Sequence, residues 1–397
     1  MYGATRSVIY SDLCHRMTEL DKDAHYLRRT LTLAACGAAA VAPNPVVGCV
    51  IVGAAGNILA EGYHRRYGGP HAEVEAVQTL APGQSLAGAT VYVSLEPCAH
   101  QGKTPPCADL LARLQPARVV AAVQDPNPLV AGQGFARLRQ AGLAVQVGPL
   151  SAQALVQNRR FIGRFWQGRP FVTLKWAQTA DGYLARADYT SQWITGPQAR
   201  MQAHRLRARH QAIAVGYRTA LHDDPRLDTR LWPGPSPVRI VVDPHRALPG
   251  HLQLFTDDGP TLHLYTGAED ALPFSTPCQG YQAISVNPGG PGGWPGAVLR
   301  TMHRANLHSL LVEGGAGLLN AFQQANLWDE AAVFTGPCLF GPDGVAAPKV
   351  ALGAPLTTLP LGPDTLSVFG NPTLGFWPSL TANQGPAALG AVEHLLD

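Results

Sequence analysis

Four residues carry the most specific chemistry in the chain. His71 and Glu73 stand one residue apart, Cys98 follows Pro97, and eight residues separate Cys98 from Cys107. One imidazole and two thiolates form a set suited to a catalytic zinc, because three protein ligands leave the fourth tetrahedral position for water. Glu73 then stands as the base that takes a proton from that water and returns it to a departing amine, as in the His-x-Glu … Pro-Cys-x-x-Cys deaminase pattern. The second spacing departs from that pattern, so zinc binding by Cys107 requires the intervening AHQGKTPP to loop out and return. Residues two apart do not share a helical face, which puts His71 in a first helical turn where the chain is still entering. If His71 and Cys98 both sit where a helix begins, the positive helix end favours Cys98 as thiolate. His100 lies in the same loop as a competing ligand. The bland alternative makes His71 a helix cap, Cys98 a buried thiol and Cys107 incidental; the coincidence of independent parts favours zinc.

A second set lies further along. From Arg200 to Arg230 there are seven arginines and three aspartates, a local charge of +4 in a chain whose total is +3. Arg207, Arg226 and Arg230 can offer planar two-donor contacts to phosphate, and Ser191 a hydroxyl. Arg200, Arg205 and Arg209 read instead as a solvated helix face. VEGGAGLLN, from Val312 to Asn320, is a strand, a glycine-rich bend and a helix start whose amides can cradle a phosphate. It lacks the third glycine of a dinucleotide fingerprint, so alone it is weak.

These residues need elements to hold them. Apolar spacing predicts a helix over 21–40, then a buried strand at VVGCVIVG. HAEVEAVQTLA, 108–114 and 134–141 read as helices alternating with the strands ATVYVSLE, ARVVAAVQ and LAVQVG. That alternation argues for an open α/β sandwich with a mostly parallel sheet. A basic and aromatic join spans Pro149 to Arg169. A second α/β pattern follows: FVTLKWA, a helix over 197–209, AIAVG, VRIVVD, LHLYTG, then SLLVEGG leading into a helix. NPGGPGGWPG, Asn287 to Gly296, reads as a surface loop. The expected organisation is an extension at 1–20, a domain at 21–149, a connector at 150–169, a domain at 170–370 and a weakly structured tail at 371–397.

With these residues in view, APNPVVGCVIV, GGPHAEVEA, VSLEPCAHQGKTPPC and DPNPLVAGQG resemble the bifunctional deaminase/reductase family of riboflavin biosynthesis. LKWAQTADG, SQWITG, HRLRARHQAIAVGYRTALHDDPRLDTR and VEGGAGLLN are similar to its reductase half. The resemblance spans roughly residues 22–370. It implies a cytidine-deaminase-like α/β/α sandwich followed by a dihydrofolate-reductase-like α/β domain. It implies Zn2+ and NADPH as cofactors and small phosphorylated pyrimidines as substrates. The first step would deaminate a diaminopyrimidinone carrying phosphoribosylamine, and the second would reduce the ribosyl chain to ribityl. Within it, His71, Cys98 and Cys107 would bind zinc, Glu73 would shuttle protons and Asn44 would contact the pyrimidine. Ser191, Arg207, Arg226, Leu227, Arg230 and Glu313 would hold substrate. Ala177, Trp193, Thr219, Asp223, Gly315, Ala316, Gly317, Leu318 and Leu319 would hold cofactor, with Ala177 acting through its backbone. Lys175 would assist the sugar carbonyl, against the alternative of a buried lysine paired with Asp181 or Glu313. Ala99 and Lys103 stand where the family more often has serine and arginine, and Gln178-Thr179-Ala180 also departs from its usual pattern.

Composition narrows the partners. Charged residues are 14% and apolar residues 46% of 397, which excludes a disordered polyelectrolyte. A total of +3 argues against nucleic acid as a partner. The uncharged stretch from Thr30 to Ala60 is broken by prolines and glycines, so no membrane span is expected. Seven scattered cysteines and no visible signal peptide suit a reducing cytoplasm. A homo-oligomer is expected, and translation can start at Met1 or Met17. Two rival readings are a nucleic-acid base deaminase using 158–169 as its groove, and a structural zinc protein closed by a fourth ligand.

Overall fold

A computed structural model of the chain describes residues 18–101, 105–127, 130–187, 193–268, 278–342, 344–348 and 352–374. Backbone packing divides them into two units, meeting in sequence at Ile162 and Gly163. Most of the expected tail, the first seventeen residues, Lys103 and Ser191 lie outside the described residues.

The first unit begins with α1 (Glu19–Ala35), opened by a capping box in which Thr18 Oγ1 accepts the Asp21 N–H and Asp21 accepts the Thr18 N–H. The chain continues through β1 (Gly48–Val52), β2 (Ile58–Tyr63), α2 (Ala72–Gln78), β3 (Thr90–Val93), α3 (Cys107–Leu114), β4 (Arg118–Ala121), α4 (Gln133–Gln140) and β5 (Ala144–Val147). The sheet order is β2-β1-β3-β4-β5. Only β3, β4 and β5 run parallel; β1 is antiparallel to both β2 and β3. The expectation of a mostly parallel sheet is therefore corrected here, because a short turn at 53–57 lets ILAEGY fold back as a hairpin instead of crossing over.

Both faces of this sheet are covered. In β1, Cys49 and Ile51 join a core with Ala72 and Ala76 of α2, Leu111 of α3 and Phe135 of α4. Val50 and Val52 point the other way, into a core with Leu27 and Leu31 of α1. A strand buried on both faces reads as a continuous apolar run, which is why VVGCVIVG lacks alternation. Much of the stretch expected to be a connector is instead helical, as α5 (Ser151–Gln157) and α6 (Arg159–Gln167). Ala154 of α5 lies in the α1 core, so this segment is structural. Asn158 is buried and both donates to and accepts from the Val46 backbone, at 3.0 and 2.8 Å, and Arg159 is buried too. That commitment argues against an open groove for a flipped base at 158–169.

The second unit holds β6 (Phe171–Gln178), β7 (Tyr183–Ala185), α7 (Pro197–Ala208), β8 (Ala212–Gly216), α8 (Tyr217–Asp223), β9 (Val238–Val242), α9 (Gln253–Thr256), β10 (Thr261–Thr266), β11 (Tyr281–Val286), α10 (Gly293–Arg304), β12 (Ser309–Glu313), α11 (Ala316–Gln324), β13 (Glu330–Thr335), β14 (Val345–Ala346), β15 (Thr357–Leu361) and β16 (Asp364–Gly370). Among the described residues its main sheet has nine strands in the order β11-β10-β9-β8-β12-β6-β13-β16-β15. The strands from β11 to β13 are parallel, and β16 and β15 close the edge antiparallel. The end of the tract expected to be a surface loop is corrected: Gly293 begins α10, and Pro295 and Gly296 are buried. Proline is tolerated in a first helical turn, where its missing N–H has no partner to lose.

Candidate functional site

Gly62 lets α2 lie directly on β2. A Cβ there would stand 2.3 Å from the Ala76 nitrogen and 2.6 Å from the Ala72 carbonyl oxygen. This close approach presents the N-terminus of α2, with His71 as its N-cap in extended conformation and without a side-chain capping bond. The imidazole is thus free to leave the helix direction, and Glu73 points into the interior at 3% exposure. Cys98 lies in the segment after β3, and the expectation that it starts a helix is corrected: Cys107 is the first residue of α3. The Cys107 N–H donates to Cys98 Sγ at 3.3 Å, so the helix end still serves the Cys98 sulfur through that amide.

His71 Nδ1 lies 3.5 Å from Cys98 Sγ and 3.4 Å from Cys107 Sγ. Among the described residues these three form the one group of metal-ligating side chains whose donor atoms all fall within 4.8 Å. His100 is exposed and is not in the group. The donors fit zinc: a nitrogen and two sulfurs converge, with the Cys98 thiol held well below its ordinary value by its hydrogen bond with Cys107 and by His71. Burial, reinforced by Cys98, pushes the Glu73 carboxyl above the ordinary carboxylate range.

The residue pattern did not reveal two supports of this site. His64 is buried; its Nδ1–H donates to the Pro70 carbonyl at 2.8 Å, which fixes the tautomer. Its Nε2 therefore accepts from Asn44 Nδ2 at 3.1 Å, orienting the residue expected to meet the pyrimidine, and its ring stands edge-on to His71 at 5.4 Å. Burial lowers the His64 pKa, keeping it in the neutral form this pairing requires. The buried Glu96 carboxylate accepts backbone N–H groups of Asp125, Gly132 and Phe135 at 3.2, 2.9 and 3.1 Å, tying the Cys98 segment to the loop before α4. A lone histidine and a glutamate beside proline carry no spacing signal; only the fold brings these partners together.

In the second unit, β12 pairs Glu313 with Lys175 of β6, and Nζ lies 3.5 Å from the Glu313 carboxylate. Of the two partners considered for Lys175, the structure gives Glu313. Asp181 instead accepts from the backbone of Phe340 and Gly341. Arg207 of α7 grips Glu313 with Nε and Nη2 at 2.9 and 2.8 Å, and Nη1 donates to the Asp228 carbonyl at 3.1 Å. Burial opposes ionisation of Glu313, but Arg207 and Lys175 overcome it and hold the carboxyl at about 2. Arg207 is thus engaged by protein, whereas Arg226 and Arg230 flank Asp228 in exposed ion pairs. Leu227 has a φ of 54° and a side chain buried in the core.

The glycine-rich bend is built by geometry. Gly314 and Gly315 have φ of 83° and 45°, and Cβ atoms there would approach Thr219 at 2.7 and 2.8 Å. Thr219 of α8 therefore packs on the bend that opens α11, next to Gly315, Ala316 and Gly317. Leu318 and Leu319 are buried in the core, so they can offer only backbone to a cofactor. Asp223 ends α8 and is exposed, and Ala177 is half-buried on β6. Trp193 is 71% exposed with the Arg200 guanidinium 4.5 Å from its ring centre. Arg200 and Arg205, expected as a solvated face, instead stack on Trp193 and Trp232. His204 was not anticipated: it is buried between Arg207 and Arg230, and burial and those charges push it down to about 4.

Comparison with known proteins fits both sites. Residues 21–123 match the cytidine and deoxycytidylate deaminase zinc-binding region, and 170–355 match the RibD C-terminal domain. The riboflavin biosynthesis protein RibD of Aquifex aeolicus is 39% identical over 325 residues, 81% of this chain and 88% of that protein. Its Escherichia coli counterpart is 41% identical over 81% of this chain and 89% of that protein. Among solved structures, Acinetobacter baumannii RibD superposes with a TM-score of 0.78 at 32% identity, covering 89% of this chain and 99% of that one. A Thermotoga maritima diaminohydroxyphosphoribosylaminopyrimidine deaminase/5-amino-6-(5-phosphoribosylamino)uracil reductase gives a TM-score of 0.76 at 32% identity, with the same coverage. With a cluster of three metal-competent side chains in one unit, a glycine-rich bend in the other and relatives aligned across both, the chain belongs to the RibD family of bifunctional deaminase–reductases of riboflavin biosynthesis.

Proposed function

We propose that the unit ending at Ile162 performs hydrolytic deamination of a diaminopyrimidinone bearing a phosphoribosylamine, and that the unit beginning at Gly163 reduces the ribosyl chain of the product to ribityl. The chain is both a hydrolase and an oxidoreductase, uses zinc and NADPH, and acts on small phosphorylated pyrimidines. No helix among the described residues is long and apolar enough to cross a membrane.

The observation that carries the deaminase assignment is the cluster of His71, Cys98 and Cys107 beside the buried Glu73 carboxyl. Zinc held by those three would supply an acidified water near neutral pH. Glu73 takes the proton of the attacking water at a carboxylate oxygen and hands it to the departing amino nitrogen. Asn44, steadied by His64, hydrogen-bonds the pyrimidine edge and sets the ring against Glu73. The proposed zinc ligands predict that Cys107→Ser lowers bound zinc and ammonia release together. A Cys107→Ser protein that keeps full zinc and full ammonia release would overturn the ligand set.

In the reductase unit, NADPH would supply hydride to the opened sugar. The amides of Gly315, Ala316, Gly317, Leu318 and Leu319 hold its phosphate, with Thr219 fixing the bend and Trp193, Asp223 and the Ala177 backbone completing the contact surface. Lys175, positioned by Glu313, donates a hydrogen bond to the carbonyl oxygen as negative charge develops there. Arg226, Arg230, Ser191 and the Leu227 backbone bind the phosphorylated substrate, while Arg207 orients Glu313 toward it. Lys175→Gln is expected to lower kcat for NADPH oxidation with little change in the NADPH KM. An unchanged kcat would remove Lys175 from the chemistry.

A further inference from the structure

A cavity of about 210 Å³ lies at the ends of β6 and β12 where those strands begin, lined by Arg164, Phe165, Arg169, Pro170, His303 and His308. Lys175 stands four residues further along β6 than Phe171, about 13 Å at the rise of an extended strand, so this cavity is separate from the reductase site. The ionisable residues lining it are two arginines and two histidines. Arg169 is neutralised by Asp329, to which it donates at 2.6 and 3.1 Å. Arg164 has no carboxylate partner among the described residues and rests against the Phe165 ring, 4.9 Å from its centre. His303 comes from the last turn of α10 and His308 from the residue before β12. The His308 backbone N–H donates to Gln211 Oε1 at 2.9 Å, which fixes the chain at the cavity wall.

A guanidinium with no carboxylate partner and two imidazole rings around one cavity offer a set of N–H donors that an anion can accept. Burial, then Arg164 and His303, depress His308 to about 4, and burial also lowers Arg164. We propose that this cavity is a binding site for a phosphate group, held by the Arg164 guanidinium and by ring N–H donors of His303 and His308. The space is enough for a phosphate or the phosphorylated end of a small sugar and too little for a dinucleotide. Arg164 supplies the planar two-donor fork that phosphate accepts well. The charged groups facing His308 are Arg164 of α6, His303 of α10 and the Arg169–Asp329 pair, and with its ionisation depressed His308 serves as a neutral ring N–H donor near neutral pH.

The test is calorimetric titration of the zinc-loaded, NADPH-saturated full chain with inorganic phosphate at pH 8, where phosphate is mostly the dianion, for wild type, Arg164→Gln and His308→Gln. The expected result is a phosphate site that Arg164→Gln weakens at least tenfold and His308→Gln weakens several-fold. Ammonia release and NADPH oxidation should stay at wild-type rates in both variants, which also verifies their folding. Ribose 5-phosphate in place of phosphate identifies the source: tighter, Arg164-dependent binding assigns a phosphorylated sugar, and binding no tighter than inorganic phosphate assigns the free ion. Phosphate binding that is the same in wild type and both active variants would overturn the proposal.

Discussion

Two buried carboxylates in this protein meet opposite fates. Glu73 sits among thiols and apolar atoms, so burial pushes its carboxyl up and leaves it able to exchange a proton. Glu313 is equally buried, yet Arg207 and Lys175 hold it ionised. The first environment suits a proton shuttle and the second a fixed charge that positions its neighbours. Accordingly Glu73→Gln should retain zinc but lose ammonia release by about 10²- to 10⁴-fold, the usual contribution of a positioned acid–base group. Zinc analysis and ammonia assay on the same preparation check this. For Glu313 the folded pKa of about 2 lies below the ordinary carboxylate value of roughly 4.3. Its ion pairs thus contribute full stability above that ordinary value, and the contribution fades as pH falls toward the folded value. Denaturant titrations between about pH 5 and pH 2 should show wild type losing stability more steeply than Glu313→Gln, with the two pH slopes agreeing near neutrality.

At the level of elements, each site is made where a helix begins against a closely approached neighbour. α2 rests on Gly62 of β2, and α11 opens from a bend packed on Thr219. A methyl group at Gly314 would meet Thr219 at 2.7 Å and take a left-handed φ of 83°, which L-residues adopt at a cost of roughly 1–2 kcal/mol. Gly314→Ala should therefore raise the NADPH KM several-fold or more, with kcat for ammonia release unchanged. Combining it with Thr219→Ser removes the methyl contact and should recover part of the loss, which steady-state kinetics with NADPH as varied substrate would show. The elements carrying these sites were legible because each is a continuous apolar run or a helix with clear periodicity: VVGCVIVG, ATVYVSLE, AIAVG and SLLVE all became strands. What the pattern hid were elements whose identity depends on partners. β2 reads as a weak polar alternation until β1 pairs with it, and β13, β15 and β16 gain their place only by extending the second sheet. The His71, Cys98 and Cys107 cluster was legible because one histidine and two cysteines, both uncommon residue types, coincided at telling positions. His64, Glu96 and His204 were not, since their roles depend on backbone partners or charges distant in sequence.

Across the whole molecule, two units carry two chemistries. The three-ligand cluster lies in one and the Thr219–Gly314 bend in the other, and the family models match them separately. The positive charge concentrated between Arg200 and Arg230 is largely spent inside the second unit, with Arg207 on Glu313, Arg226 and Arg230 on Asp228, and Arg200 and Arg205 over tryptophans. A local surplus in sequence thus becomes a braced wall with two exposed guanidiniums, Arg226 and Arg230, at its rim. Among the described residues the one metal-competent cluster lies in the first unit, so a chelator should abolish ammonia release while leaving NADPH oxidation intact when the deaminated intermediate is supplied. Loss of both activities on chelation would show that zinc also supports the reductase.

The most direct measurement follows ammonia and NADPH separately while the zinc-loaded chain acts on the diaminopyrimidinone phosphoribosylamine. Ammonia should appear with or without NADPH, and with NADPH present one cofactor should be oxidised for each ammonia released. Ammonia release with no NADPH oxidation, or NADPH oxidation with no ammonia, would contradict the assignment of consecutive steps to the two units.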